Sequence, residues 1–331
     1  MLLNPSANRV YGGQVASLAE AELRVCAPWA SEVATTTVAG VDYLGFTTEA
    51  EPNPDQARLL ADQSAFLALF EMQDENLLRP VEVHPTGKLD DDLVTIPKYQ
   101  GKTNEQFTRL LLNVTLSQVR GDKPTPWTVL DPMAGRGTTL TSAWLLGHHG
   151  AGVEADTKAV EAMGAFLRTW LRRKRLKHRA ESNPVRREGK SLGRRFDATV
   201  QQPGGPELSL SVFTGDTRQS AALWGKRRFD AIVTDAPYGV VHGSKADHRR
   251  DRSPAALLGE AIGVWAGQLR PGGALGLSWN THGLAREDVL GLLTEAGLTP
   301  CGDGGENDPW QRFGHRVDSS IFRDLVVATK N

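Results

Sequence analysis

From residue 127 onward, short apolar runs alternate with longer stretches in which apolar residues recur every three or four positions. The runs WTVLD (127–131), GAGVE (150–154), LSLSVF (208–213), FDAIVTD (229–235), ALGLSW (274–279) and FRDLVVAT (322–329) read as strands. Residues 138–146, 157–177, 254–269 and 286–296 read as helices between them. Such alternation predicts an α/β fold with a mainly parallel sheet covered on both faces. Residues 179–207, with Asn183–Pro184 and Pro203 to Pro206, read as an insertion loop. The first 100 residues are different, mixing β-like runs such as VATTTV and VDYLGF with one amphipathic stretch at 54–73. There Pro54 sits at a helix start, and Leu59, Leu60, Phe66, Leu67 and Phe70 recur at helical spacing. Residues 104–119 read as a further helix with Phe107, Leu110, Leu111, Val114 and Val119 on one side, and GDKPTP turns the chain into the first strand of the sheet. The expected division is a small α+β domain at 1–103 and a larger domain at 104–331.

Composition adds limits. A chain of 331 residues, 40% hydrophobic and 23% charged, is expected to be globular, with core enough for two domains. Only Cys26 and Cys301 are present, too few for a disulfide framework, so a reducing cytoplasm is the expected compartment. No apolar run reaches membrane-spanning length, the amino terminus does not read as an export signal, and the eight histidines show no metal-binding spacing. The net charge of −1 hides an asymmetry: residues 1–120 carry 9 Lys and Arg against 16 Asp and Glu, and the remainder 29 against 23. Residues 168–195 alone hold 12 basic side chains and two acids, Glu181 and Glu188. That density suits a polyphosphate partner and makes Arg172, Arg173, Lys174 and Arg175 candidate nucleic-acid contacts.

Candidate chemistry lies at the strand ends. The first strand of the α/β part ends in DPMAGRGTT, so Asp131, Pro132, Met133 and Ala134 lead into a turn with Gly135 and Gly137 that opens a helix. Glycines there let backbone N–H groups approach a cofactor. Glu154, followed by Ala155, ends the next strand, where a carboxylate can accept both hydroxyls of an adenosine ribose or cap a helix; Asp156 is better placed for the cap. Asp216, followed by Thr217, could accept from an adenine amino group or serve as an N-cap. Spacing alone leaves both a nicotinamide cofactor and S-adenosyl-L-methionine open. Asp131 beside the turn, and Leu140 in place of a third glycine, disfavour a pyrophosphate and suit a sulfonium and an ammonium group.

The fourth of these strands ends in TDAPYG, residues 234–239. This motif resembles that of class I S-adenosylmethionine-dependent methyltransferases acting on exocyclic amino groups of nucleobases. The resemblance implies a Rossmann-like sheet and a catalytic loop of Asp235, Ala236, Pro237 and Tyr238. The Asp235 side chain and the Ala236 carbonyl would accept the two amine hydrogens, and Tyr238 would stack on an extruded base. Ala236 replaces the first proline of the family motif. Within the superfamily, residues 104–331 look most like tRNA guanine-N2 methyltransferases that carry an RNA-binding THUMP module, through the TD-x-PYG loop and the terminal SSIFRDLVVATK. The first 100 residues show no visible THUMP match. DNA amino-methyltransferases are also similar through GKTNEQF and DPMAGRGTT. The implied substrate is RNA, most readily tRNA. DNA adenine-N6 or cytosine-N4 methylation, a small-molecule amine and a non-catalytic RNA-binding role are the alternatives. The loop GVVHGSKADHRRDR adds Lys245, Arg249 and Arg250 as substrate-facing cations.

Overall fold

The computed structural model describes residues 1–5, 9–74, 77–121, 125–237 and 254–331. Its first part is a five-stranded sheet of β1 (Leu2–Leu3), β2 (Ser31–Val38), β3 (Val41–Thr47), β4 (Phe66–Asp74) and β5 (Leu77–Val81), in the order β2-β3-β1-β4-β5. Five helices accompany it: α1 (Arg9–Gly12), α2 (Val15–Cys26), α3 (Pro54–Ala61), α4 (Asp92–Thr95) and α5 (Glu105–Leu116). Helix α3 starts as its sequence predicts, with Pro54 at its first turn and a capping box between Asn53 and Gln56. It does not continue to Phe70. The buried Glu22 of α2 accepts from the Ser64 N–H at 3.0 Å and from the Ser64 hydroxyl, pinning a turn after α3. Phe66 onward then pairs with β1 and β5. Sheet partners override a helical spacing that five apolar residues happen to satisfy.

The second part contains β6 (Thr128–Asp131), α6 (Thr138–Leu145), β7 (His149–Glu154), α7 (Thr157–Arg173), β8 (His178–Arg187), β9 (Lys190–Gln201) and β10 (Glu207–Thr214). It continues through α8 (Ser220–Trp224), β11 (Phe229–Asp235), α9 (Pro254–Gln268), β12 (Leu269–Asn280) and α10 (Arg286–Glu295), and ends with β13 (Thr299–Pro300), β14 (His315–Arg316) and β15 (Phe322–Thr329). The sheet order is β13-β15-β12-β11-β6-β7-β10-β9-β8, with β14 also on β15. Strands β10, β7, β6, β11 and β12 run parallel, and β15 runs antiparallel to β12. From β6 the chain winds outward through β7 and β10, then returns to β11 on its other side. The carboxyl ends of β6 and β11 therefore flank a topological switch point.

Residues 178–201 are not a loop but the hairpin β8–β9, which extends the sheet beyond β10. Three features hide it in the sequence. Pro184 lies within β8, a position tolerated only because β8 is the edge strand. Strand β8 and the first half of β9 are dense in charge, and the apolar alternation is confined to Phe196, Ala198 and Val200. The two turn residues, Glu188 and Gly189, both have positive φ (50° and 78°), and glutamate is an unusual first residue for such a turn.

Alternate residues of β11 feed two cores. Ala231 and Val233 join a cluster with Phe107, Leu110, Leu111 and Val114 of α5 and Leu18, Leu23, Leu44 and Leu60 of the amino-terminal part. Ile232 faces Trp265 of α9, Leu275 and Leu277. Helix α5 is thus shared between the two sheets. It lies so close to β12 that a Cβ on Gly276 would fall 1.9 Å from the Thr115 hydroxyl. No described helix is long and apolar enough to cross a membrane.

Candidate functional site at the carboxyl edge of the sheet

Parallel pairing brings the ends of four strands to one edge. Asp131, Glu154, Asp216 and Asp235 lie there because β6, β7, β10 and β11 are neighbours in matched register. The turn after β6 is held from both sides. Asp131, 2% exposed, accepts from the Met133 N–H at 3.1 Å and from the Thr234 hydroxyl at 2.8 Å. Burial pushes its carboxyl up to about 7, while the Thr234 and Met133 hydrogen bonds pull it down. Asp131 thus braces the turn from below. Pro132 and Ala134 are buried and Met133 is half-buried; the Ala134 N–H donates to the Val153 carbonyl at 2.9 Å.

Gly135 and Gly137 have φ of +52° and +83°, a region that glycine enters without penalty. Gly137 is the N-cap of α6, and a Cβ there would lie 2.4 Å from the Met163 sulfur. Nothing lies within 4 Å of the Cβ position on Gly135, so its surroundings are open. The Gly135 N–H donates to Glu154 Oε2 at 2.7 Å, and the Asp156 N–H donates to Oε1 at 2.7 Å. Each oxygen keeps a second lone pair. Asp156 caps α7 through the Lys158 N–H at 2.9 Å, as its position suggests, and Ala155 is exposed. Asp216 caps a single 3-10 turn through the Arg218 N–H at 2.9 Å and grips the Arg218 guanidinium, whose hydrogen bonds hold its carboxyl below the usual range. The Thr217 hydroxyl accepts from Trp265 Nε1 at 3.0 Å.

Asp235 is the most elaborately held of these carboxylates. Oδ2 accepts from the Thr103 hydroxyl at 2.5 Å, Oδ1 accepts from the Ser278 hydroxyl, and an Arg323 nitrogen lies 3.7 Å from Oδ2. Arg323 is 3% exposed and packs over the Phe107 ring at 4.5 Å. The Ala236 N–H donates to the Ser278 carbonyl at 2.8 Å, which fixes the orientation of the Asp235–Ala236 peptide. Ala236 is buried and Pro237 exposed. Asp235 keeps 13% of its side-chain surface accessible. Thr103, Ser278 and Arg323 were not legible as site residues. Their only signal was position: Thr103 lies in GKTNEQF, Ser278 near a strand end, and Arg323 in SSIFRDLVVATK.

The remaining predicted residues divide by position. Arg172, Arg173 and Arg175 are exposed at the far end of α7. That helix descends from the Glu154 edge for 17 residues, about 25 Å at 1.5 Å per residue, so these cations sit at the opposite edge from Asp235. Lys174 is engaged within the molecule, 2.7 Å from Asp90 and 2.6 Å from Asp92. Tyr238, Lys245, Arg249 and Arg250 lie outside the described residues. A cavity of about 200 Å³ opens beside the glycine turn, lined by Tyr99, Lys102, Arg136, Thr138, Met163 and Phe166. Among the described residues, no group of three His, Cys, Asp or Glu could hold a metal ion.

The strand order and the single crossover at β6 define a Rossmann-like, doubly wound sheet with one antiparallel strand, β15, and an added hairpin on one edge. No family model matches the chain, and no curated protein matches it. Among solved structures it is similar to TrmN from Thermus thermophilus, with 18% identity over 70% of this chain and 50% of that one, at a TM-score of 0.40. It is similar also to a TehB-like SAM-dependent methyltransferase from Corynebacterium glutamicum, with 16% identity, 63% and 83% coverage, and a TM-score of 0.35. A third is an rRNA methylase from Streptococcus thermophilus, with 13% identity, 65% and 92% coverage, and a TM-score of 0.35. At such identities and scores, no activity carries over from those proteins to this chain.

Proposed function

We propose that the protein transfers a methyl group from S-adenosyl-L-methionine to an exocyclic amino group of a nucleobase in RNA, with guanine-N2 in tRNA as the leading substrate. The observation that carries this reading is Asp235, held by three side chains at the switch-point edge with accessible surface remaining. In this reading residues 104–331 are the catalytic domain and residues 1–103 an accessory domain.

The glycine turn and its neighbours fit the cofactor. The open space over Gly135 admits a group against its backbone, and the second lone pairs of Glu154 can accept ribose hydroxyls. Met133 and Ala134 line the turn, and Asp216 with Thr217 stands at the end of the neighbouring strand, where Asp216 would have to release Arg218 to accept from the adenine. Bound there, S-adenosylmethionine supplies an electrophilic methyl group on a sulfonium. The rest is done by side chains of this protein. An aryl amine is a poor nucleophile because its lone pair is delocalised into the ring. Two acceptors, an Asp235 oxygen and the Ala236 carbonyl, draw its hydrogens out of the ring plane toward tetrahedral geometry and aim the lone pair at the methyl group. Thr103, Ser278 and Arg323 keep the Asp235 carboxylate from rotating. Once the methylated amine is cationic its proton is acidic, so Asp235 can accept it without being a strong base. Pro237 fixes its own φ and restricts the backbone of Ala236 before it.

The test is incubation of the full chain with methyl-labelled S-adenosylmethionine and separate pools of unmodified tRNA, rRNA and duplex DNA, followed by nucleoside digestion. Label recovered from RNA as N2-methylguanosine is the expected result. Label in DNA as N6-methyladenine or N4-methylcytosine would replace the RNA reading. Cofactor binding without label in any pool would contradict nucleobase methylation.

A further inference from the structure

The basic run at 168–195 is cut in two by the fold. One group of cations ends α7 at the far edge of the sheet, while the other rides the β8–β9 hairpin back to the edge where Asp235 lies. Strand β8 is antiparallel to β9 and β9 to β10, so β8 runs upward with β10 and β7. Thr214 pairs with Glu154, Phe213 with Arg195, and Arg194 with Pro184. Residues 185–193 therefore lie past the rung that carries Glu154, with the turn at Glu188 and Gly189 four or five residues on.

This tip is anchored. Val185 and Leu192 pack against the cluster that contains Leu223 and Trp224, and the Arg187 guanidinium donates to the Ala222 and Leu223 carbonyls at 2.7 and 2.9 Å. With Arg187 committed to carbonyls and Arg195 paired with Asp197 at 2.8 Å, Arg186 and Lys190 remain exposed. Neither side chain forms a hydrogen bond or ion pair with a described residue. Arg194 is exposed and makes one bond, to the Ser182 carbonyl at 3.3 Å. Glu188 is the only acid between Arg186 and Arg195. Pro184 and the strand charges also block this edge from pairing with another sheet.

We propose that the β8–β9 hairpin is a cationic arm that takes RNA phosphates on the same edge of the sheet as the site, through Arg186, Lys190 and Arg194. This rests on the RNA reading above and names the surface through which that substrate is held. Strand β8 lies five strands from β11, about 24 Å at 4.8 Å per strand, a span that several nucleotides of RNA cover along one edge, whereas Arg172 and Arg173 lie at the opposite edge.

The experiment measures binding of the full chain to a fluorescein-labelled unmodified tRNA by anisotropy between 50 and 200 mM salt. It compares the native protein, Arg186→Glu with Lys190→Glu, the milder pair Arg186→Gln with Lys190→Gln, and the far-edge control Arg172→Glu with Arg173→Glu. Circular dichroism and S-adenosylmethionine affinity report on folding. The glutamate pair is expected to weaken tRNA binding at least tenfold and the glutamine pair about threefold. Losing two phosphate contacts lowers the magnitude of the salt slope by about 1.5. The far-edge pair stays within twofold. Native protein that binds tRNA while both hairpin pairs bind equally well would overturn the arm and leave the RNA reading standing. A native protein that ignores tRNA would overturn both.

Discussion

Strand β11 carries one aspartate near each end, and the two are held in opposite ways. At the amino edge Asp230 is fully buried; Oδ1 accepts from Arg270 Nε at 2.6 Å and Oδ2 from the Thr128 N–H at 2.8 Å. At the carboxyl edge Asp235 has an arginine too, but at 3.7 Å, with two hydroxyls taking the closer places and part of the side chain still accessible. The first arrangement ties loops to the base of the sheet. The second fixes a carboxylate in direction while leaving part of it accessible at the edge. In a parallel sheet the loops at the amino edge close the structure, and those at the carboxyl edge are free to carry chemistry.

The contrast can be broken most severely at Asp230. Asp230→Ala leaves the buried Thr128 N–H without its acceptor and the half-buried Arg270 with only the Arg120 and Pro271 carbonyls, and is expected to cost about 3 kcal/mol in chemical denaturation, with turnover per folded molecule unchanged. Equal loss of turnover would erase the distinction between the edges. The next effect is a pH dependence in which the edges behave alike for stability. Burial lowers His148, stacked on Trp127 at the amino side, and His315, packed on Phe107 beside Arg323, each to about 4. A histidine lowered from 6.5 contributes stability above 6.5 that is lost as pH falls toward 4, about 3 kcal/mol each. Denaturation midpoints at pH 7 and pH 5 should therefore differ for the native protein and differ less for His315→Gln. A difference between pH 7 and pH 5 as large in His315→Gln as in the native protein would contradict the burial of that ring. Asp131, raised to about 7, acts with the opposite sign: its contribution is complete below 3.8 and is lost as pH rises through 7.

Smaller effects sharpen the carboxyl edge alone. Gly137→Ala forces a side chain to φ +83° and against Met163, which should cost about 1–2 kcal/mol in stability and raise KM for the cofactor. Unaltered KM and melting would detach that turn from binding. Thr103→Val removes one hydroxyl from Asp235 and should slow transfer about tenfold, roughly 1.4 kcal/mol, while cofactor affinity holds. An unchanged rate would make Thr103 a bystander.

How far the sequence could be read follows from the same geometry. Strand-end motifs were legible because a parallel sheet turns linear order into spatial adjacency: DPMAGRGTT, Glu154, Asp216 and TDAPYG end successive or neighbouring strands. The residues around Asp235 were not, since Thr103, Ser278 and Arg323 arrive from a loop before α5, from β12 and from an antiparallel strand, 132, 43 and 88 positions away in sequence. The hairpin escaped notice because its edge position permits Pro184 and dense charge that argue against a strand elsewhere. Helix α3 was read too long because a helical spacing carries no information about the buried Glu22 that pins Ser64 and ends the run.

The proposed function assigns separate roles to the glycine turn, which would bind the cofactor, and to Asp235, which would hold the amine. The direct measurement is S-adenosylmethionine affinity by calorimetry, alongside methyl transfer to unmodified tRNA, for native protein and Asp235→Ala. The account predicts affinity within a few-fold and transfer reduced by at least about 10²–10³-fold. Undiminished transfer by Asp235→Ala, or a collapse of cofactor affinity equal to the loss of transfer, would contradict it.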